Sequence, residues 1–434
     1  MMGKNKRNQP ALTTRLGDRF HDLFPALTHR NFRLFFFGQC VSLIGTWMQN
    51  IGQSWLVLQM TNSVFLLGLL TAVQFTPVML LSLFGGTLAD RMPKRKILVF
   101  TQTSLGILAA LLALITVTGL VRYWMIMVLA GLLGAVNALD QPARQSFFVE
   151  IVGRDHLPNA ITLNSSVFNL ARLVGPAVAA VLINLVGISV CFFLNAASFI
   201  AVIIALTRIQ MPVPERKFDL HGIHVRQTIA DIGEGFRYIW KLPSLVIPLV
   251  TILGISVLIM NYNVALPAYS DNVIHEGVSG YGLLTTMMGI GSLLAALTLA
   301  VRLRRSPHMW LLTLSSLGIS GLFLVLGLTS SYVFAAFLIF LTGMANITLT
   351  ATTNSILQMT AKSEMRGRVM GVYSLVMGGT TPIGSLYTGA VSGAFGVPQY
   401  FWMSGGICLL LSLLAFLLFR IVRHREAAGR MAPT

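Results

Sequence analysis

Residues 85–98 read GGTLADRMPKRKIL. Asp90, Arg91, Lys94, Arg95 and Lys96 crowd into seven positions, with long apolar runs on both sides. Elsewhere charge is scarce: 10% of the 434 residues are charged, 55% are hydrophobic, and the mean hydropathy is +0.76. Soluble domains carry roughly a quarter charged residues, so a soluble enzyme is excluded. A charged knot between two apolar runs reads as a hairpin whose arms cross a bilayer and whose turn stays in water.

A helix rises about 1.5 Å per residue and the lipid core is about 30 Å thick, so one crossing takes about 20 residues. Working outward from the hairpin, twelve spans fit: 32–58, 64–89, 97–120, 123–140, 158–187, 188–208, 244–270, 279–301, 308–329, 331–359, 368–394 and 398–420. The expected fold is an all-α membrane protein with twelve transmembrane helices in two pseudo-symmetric six-helix bundles. The chain divides into a cytosolic N-terminal segment (1–31), a first bundle (32–208), a cytosolic linker with an amphipathic helix (209–243), a second bundle (244–420) and a cytosolic tail (421–434).

A net charge of +17 invites a nucleic-acid reading, and its distribution answers otherwise. Of the 31 Lys and Arg, 29 fall in 1–33, 90–96, 140–157, 208–243, 302–307, 360–368 and 420–434, which alternate crossings leave on one side. Basic loops mark the cytosolic face. Both termini are therefore expected in the cytosol, with the chain in the cell membrane and anionic lipid heads against the bases. The exceptions are Arg122, in an outer loop, and Arg172, inside a span. No secretory signal peptide is expected, because the first apolar run is too long for one.

Within the linker, Val225, Ile229, Ile232, Phe236 and Ile239 recur at steps of four and three, the stripe of a helix lying on the membrane surface. Residues 15–24, with Leu16, Phe20, Leu23 and Phe24, form a shorter stripe. The halves echo each other: Gly134 matches Gly343 at an offset of 209, and Pro176 matches Pro382 at an offset of 206. Duplicated halves are common in secondary transporters.

Polar side chains inside a span need protein or water beside them. Gln39, Ser42, Thr46, Gln49 and Gln53 share one face of the first span. Asn137, Asp140, Gln141 and Arg144 share a face in the fourth, and Ser165, Asn169 and Arg172 in the fifth. Asn261 and Asn263 mark the seventh, and Asn346, Thr350, Thr353 and Asn354 the tenth. A substrate cavity is expected at Gln39, Thr46, Gln49, Gln53, Asn137, Asn169, Arg172, Asn261, Asn346 and Thr350; polar contacts between helices are the other reading of each stripe. Arg172 is the one charge well inside a span, three residues before Gly175-Pro176, where proline removes a donor and bends the helix. It is expected to attract anionic or strongly polar groups, or else to bond neighbouring helices. Met287, Met288, Met377 and Tyr373 read equally as an adaptable wall or as gap-filling.

Catalytic chemistry finds no footing. Cys40, Cys191 and Cys408 lie in separate spans, without disulfide or metal spacing. The eight His sit in tails, loops or span ends, and no GxxxxGK[ST] loop points to ATP. No metal or cofactor is expected. All 14 Asp and Glu lie in loops, tails or span ends. Proton coupling, the expected energy source, has Asp90 and Asp140 as its acids.

Gly86-Thr87-Leu88-Ala89-Asp90-Arg91 with Lys94-Arg95-Lys96 resembles the loop signature of the major facilitator superfamily, G-x-L-A-D-R-x-G-R-K, with Pro93 in place of the second glycine. The resemblance implies a gate at Gly86, Asp90, Arg91, Lys94 and Arg95 that latches the halves in one state of the cycle. FGQCVSLIGTWMQNIGQSWLVLQMTNS, DQPARQSFFVEIVGRDHLPNAI, ARLVGPAV and MRGRVMGVYSL resemble the transmembrane secretion effectors, which include enterobactin-exporter-like proteins. Gly175-Pro176 resembles a fifth-span motif of drug exporters, with Ala179 and Ala180 where glycines are common. The fourth span lacks the arginine that many relatives use for coupling. The resemblance implies a secondary transporter exporting small amphipathic molecules, drug- or siderophore-like, by alternating access. Uptake or facilitated diffusion of a nutrient or siderophore, and a non-transporting membrane sensor, are the other readings.

Overall fold

The computed structural model describes residues 24–210, 225–302 and 309–431. The side chains of Asp90 and Arg91, those of Val225 and Ile229, and the stripe residues Leu16, Phe20 and Leu23 lie outside what is described. Thirteen α-helices make up the described residues, which contain no strand.

The first bundle comprises α1 (Arg30–Thr61), α2 (Val64–Arg91), α3 (Lys94–Val117), α4 (Tyr123–Leu185) and α5 (Ser189–Arg208). Each boundary has a local cause. Asn62 takes the left-handed conformation at φ 46°, and the Ser63 hydroxyl caps α2 by accepting from the Leu66 amide at 3.3 Å. The opening hairpin turns through Met92 and Pro93, with proline at the cap of α3. The polar stretch 140–157, expected as a loop, is helical. It breaks at Gly153, whose φ of 72° only glycine adopts easily, so α4 is two helices that meet at a kink and the expected fourth and fifth spans remain separate helices.

The linker helix α6 (Val225–Trp240) leads to α7 (Pro243–Leu258), α8 (Leu266–Asn272), α9 (Gly277–Arg302), α10 (Met309–Leu326), α11 (Tyr332–Thr360), α12 (Arg366–Phe395) and α13 (Val397–Met431). The expected seventh span is interrupted: α7 gives way to a short 3-10 turn, Tyr262–Val264, before α8. Among the described residues, nine helices are long and apolar enough to cross a membrane. α1, with its glutamines, and α12, rich in Gly, Ser and Thr, lie below that apolarity.

Glycines set how closely helices cross. A Cβ at Gly134 would run into the Gln74 carbonyl, so α4 touches the backbone of α2. In the second bundle Gly343 meets the Met288 carbonyl in the same manner, bringing α11 onto α9. The bundles meet along α2 with α12 and α4 with α9. At one end the joint is tight: Gly68 faces Gly389, Gly282 faces Ala180, and Asn184 donates to Ser279 at 2.7 Å. Toward the other end Phe168 and Leu170 of α4 are exposed, with Asn169 between them half-buried.

Linker helix α6 packs on the second bundle. Ile239 is buried and Ile232 half-buried, while Phe236 and Trp240 of the helix stay exposed. Arg368 at the start of α12 bonds Asp231 at 3.1 Å and Glu234 at 3.0 Å. Gly235 lets α6 approach the Arg368 carbonyl.

Candidate functional site

A cavity of about 310 Å³ opens between the bundles. From the first bundle α1 contributes Trp47, Asn50, Ile51, Gln53 and Ser54, and α2 contributes Leu70, Thr71, Gln74 and Phe75. From the second come Ser256 of α7, Met260, Asn261, Asn263 and Val264 at the interruption before α8, Tyr281 and Thr285 of α9, and Met377 and Thr381 of α12. The interrupted helix therefore forms much of one wall, where irregular backbone beside a cavity can find polar partners. Asn261 secures the break by donating to the Ser256 carbonyl at 2.9 Å.

Arg172 stands behind the Trp47 wall. Its guanidinium carbon lies 5.9 Å from the Trp47 ring centroid, and Nη2 donates to the Tyr262 hydroxyl at 3.1 Å. One turn on, Gly175 lets α4 approach α1 at Trp47; a Cβ there would press on Ile44 and Trp47. Pro176 is buried beside it within α4. Small residues thus set the crossing that places the cation over the indole.

The expected cavity residues part company. Gln53 and Asn261 line the cavity. Gln39 is buried against Arg144, which donates to its Oε1, while its Nε2 has no partner. Gln49 accepts from Asn195 of α5 at 2.7 Å, a contact between helices. Thr46, Asn137 and Asn169 turn back onto the carbonyls of Ser42, Leu133 and Ser165. Thr350 bonds the Asn346 carbonyl at 2.8 Å, and neither residue reaches the cavity wall. Of the soft residues, Met377 lines the cavity, whereas Met287, Met288 and Tyr373 do not.

A second polar centre lies inside the first bundle. Asp140, 1% exposed, accepts from Thr101 Oγ1 at 2.7 Å and Gln102 Nε2 at 2.8 Å, and pairs with Arg144 one turn further along α4. Arg144 in turn holds Gln39 of α1. Three helices are thereby stitched around one ion pair, with buried Gln102 Oε1 unpartnered beside it.

Two of the loop bases, Lys94 and Arg95, stay within their own bundle. Lys94, 5% exposed, reaches Glu150 of α4 at 2.9 Å. Arg95 donates to the carbonyls of Leu206 and Thr207, both at 2.7 Å, closing the C-terminal end of α5. Gly85 packs on the Ala138 carbonyl, whereas Gly86 faces open space.

Trp47, Gln74 and Tyr281 were not expected in the site. A signal existed for Gln74: with Thr71 it forms a polar three-residue step in an otherwise apolar stretch of α2.

Comparison with known proteins gives the geometry its family. The chain is 23% identical over 389 residues to the staphyloferrin A transporter of Staphylococcus aureus, covering 89% of this chain and 96% of that one. It is 25% identical over 385 residues to the multidrug efflux pump Tap of Mycolicibacterium fortuitum, covering 87% and 92%. The fold resembles a bacterial homologue of the human lysosomal transporter Spinster, solved inward-facing and unoccupied. The TM-score is 0.70 at 14% identity, over 93% of this chain and 98% of that one. The profile of the transmembrane secretion effectors matches residues 22–432. This multi-pass membrane protein, a transporter of small molecules and not an enzyme, belongs to that family, within the major facilitator superfamily.

Proposed function

We propose that the protein exports small amphipathic molecules, drug- or siderophore-like, by alternating access. The observation that carries this is the cavity of about 310 Å³ lined from both bundles and shut along the Gly68–Gly389 joint. Twelve crossings follow if α4 crosses twice about its Gly153 break, α7 and α8 cross once together, and α1 and α12 cross inside the protein. The basic segments then lie in the cytosol of the cell membrane with both termini, against anionic lipid heads. In that orientation the closed joint faces outward, which supports entry to the cavity from the cytosol. An efflux pump among the relatives supports export.

Sealed vesicles made from cells with and without the protein test the direction. Inside-out vesicles should accumulate a fluorescent amphiphile, and right-side-out vesicles should not. The opposite pattern turns the reading to uptake; equal loss of any gradient in both turns it to facilitated diffusion.

The gate is proposed at Gly86, Asp90, Arg91, Lys94 and Arg95. With Lys94 and Arg95 occupied inside the first bundle, the latch to the second bundle belongs to another state of the cycle. Asp90→Asn should cut transport strongly at normal membrane levels, and an unchanged rate removes the gate. Coupling to protons is proposed through Asp90 or Asp140. An imposed pH gradient that leaves proteoliposome transport unaffected removes it.

A further inference from the structure

Two half-buried arginines of α4, Arg144 within the first bundle and Arg172 at its joint with the second, are treated differently. Arg144 faces a carboxylate, Asp140. Arg172 faces none: among the described residues its contacts are the Tyr262 hydroxyl at 3.1 Å and the Trp47 ring at 5.9 Å. A guanidinium has five N–H donors, and no deprotonated form is available to it. An intramembrane cation without a counter-charge is costly and marks a functional site by default. Among the described residues, the adjoining cavity supplies no anion either. Its wall is built of amides such as Gln53, Gln74 and Asn261, of hydroxyls and of aromatic rings, with no Asp or Glu.

Building on the transport reading above, we infer that the cargo brings the missing charge: a planar oxyanion of carboxylate type on a flat, largely apolar body. The guanidinium fork matches a carboxylate, the Trp47 ring offers a stacking face, and the amides take neutral polar groups. Cationic amphiphiles meet like charge and no acid, so they are selected against.

The inference also assigns a role to the Tyr262 bond. Arg172 belongs to the first bundle and Tyr262, 2% exposed, to the interrupted helix of the second. A carboxylate is a stronger acceptor for a guanidinium than a neutral hydroxyl. An anion that takes the hydroxyl's place at Nη2 removes one of the ties between the bundles, so that loading the site loosens the closed joint.

Dansylglycine and dansylethylenediamine share an aromatic body and differ in the sign of their charge. Titrated against the purified full chain in nanodiscs, dansylglycine should bind at least about tenfold tighter, the gain of one charge-assisted hydrogen bond. Arg172→Gln should bring the two affinities to within about threefold of each other, and Arg172→Lys should keep the order. Tyr262→Phe should keep the order and tighten dansylglycine alone, because nothing has to be displaced. The parent ratio needs no variant, so the test stands even if Arg172→Gln does not accumulate. Equal or reversed affinities, no binding by either probe, or a preference that survives Arg172→Gln overturns the charge selection. Unchanged dansylglycine affinity in Tyr262→Phe overturns the displacement. Counterflow of dansylglycine in sealed proteoliposomes is scored separately: its absence with anion preference intact strikes the transport reading and leaves the charge selection standing.

Discussion

Displaced by 209 residues, Gly134 of the first bundle corresponds to Gly343 of the second and Asn137 to Asn346, while Asp140 and Arg144 correspond to Leu349 and Thr353. Both glycines admit a neighbouring carbonyl, from Gln74 and Met288, so the helix crossing is reproduced. The charge is not. Leu349 and Thr353 are both 0% exposed, and the Thr353 hydroxyl has no partner. One bundle closes this position with an ion pair wired to Gln39, Thr101 and Gln102; the other closes it with ordinary packing. Packing geometry is thus common to the halves, and the buried charge is an addition to one of them.

Exchanging the residues between the halves is the harshest way to break that comparison. Asp140→Leu leaves the half-buried Arg144 guanidinium with Gln39 but without its carboxylate; removing one partner of a fully buried pair costs about 3–5 kcal/mol, which is the upper bound here. The variant should lose most of its heat-resistant fraction in detergent, read by fluorescence-detected size exclusion. Asp140→Leu with Arg144→Thr copies the second bundle and should recover more than half of that loss, since a buried pair replaced by packing is often neutral. A double variant no better than the single would show that the pair does more than neutralise itself.

Gly134→Ala and Gly343→Ala come next and sharpen the shared part. Each added methyl presses on a backbone carbonyl, and such overpacking costs about 1–3 kcal/mol. Both should lower the melting point by similar amounts. A large drop in one and none in the other would mean that the echo is only one of sequence.

How far these features were legible follows from what a sequence encodes. Spacing fixes the angle at which a side chain leaves its helix, so the shared face of Ile232 and Ile239 was readable in the sequence, but its partner, the second bundle in place of the expected membrane surface, was not, and Phe236 of the same stripe stays exposed. It does not fix what stands opposite. Gln39, Gln49 and Gln53 leave α1 on one face, yet that face meets Arg144 near one end, Asn195 further along and the cavity last. The fourth and fifth spans read as separate, and they are, meeting at the Gly153 kink; the polarity of residues 140–157 reflects water at the end of the bundle, not loss of helix on either side of that kink. The interruption at Tyr262–Val264 coincides with Asn261, Asn263 and Pro267, but polar side chains in a span read equally as cavity lining, so the break in the helix was not separable from that reading. Trp47 was hidden for another reason: its place in the wall depends on Gly175, which is 128 positions away along the chain.

The smallest expected effect compares how the two bundles hold their peripheral segments. Lys94 meets Glu150 with 6% of its side chain exposed, whereas Arg368 meets Asp231 and Glu234 with 34% exposed. Water and salt reach the second cluster far more readily. Exposed pairs contribute about 0.2–1 kcal/mol each, so Arg368→Ala should leave the melting point nearly unchanged. Its effect should be local. Linker helix α6 keeps Ile239 buried and Tyr238 near the Lys362 amide at 3.3 Å, but loses both of its acidic tethers. Trypsin should then cut after Arg237 or Lys241 a few times faster in Arg368→Ala, consistent with a local opening easier by about 1 kcal/mol. In the parent, raising the salt should speed the same cut and shrink the gap to the variant. Lys94→Met should instead lower the melting point at every salt concentration, because Glu150 loses a partner that salt does not reach. If salt sensitivity belonged to Lys94 and not to Arg368, burial would not be what separates the two clusters.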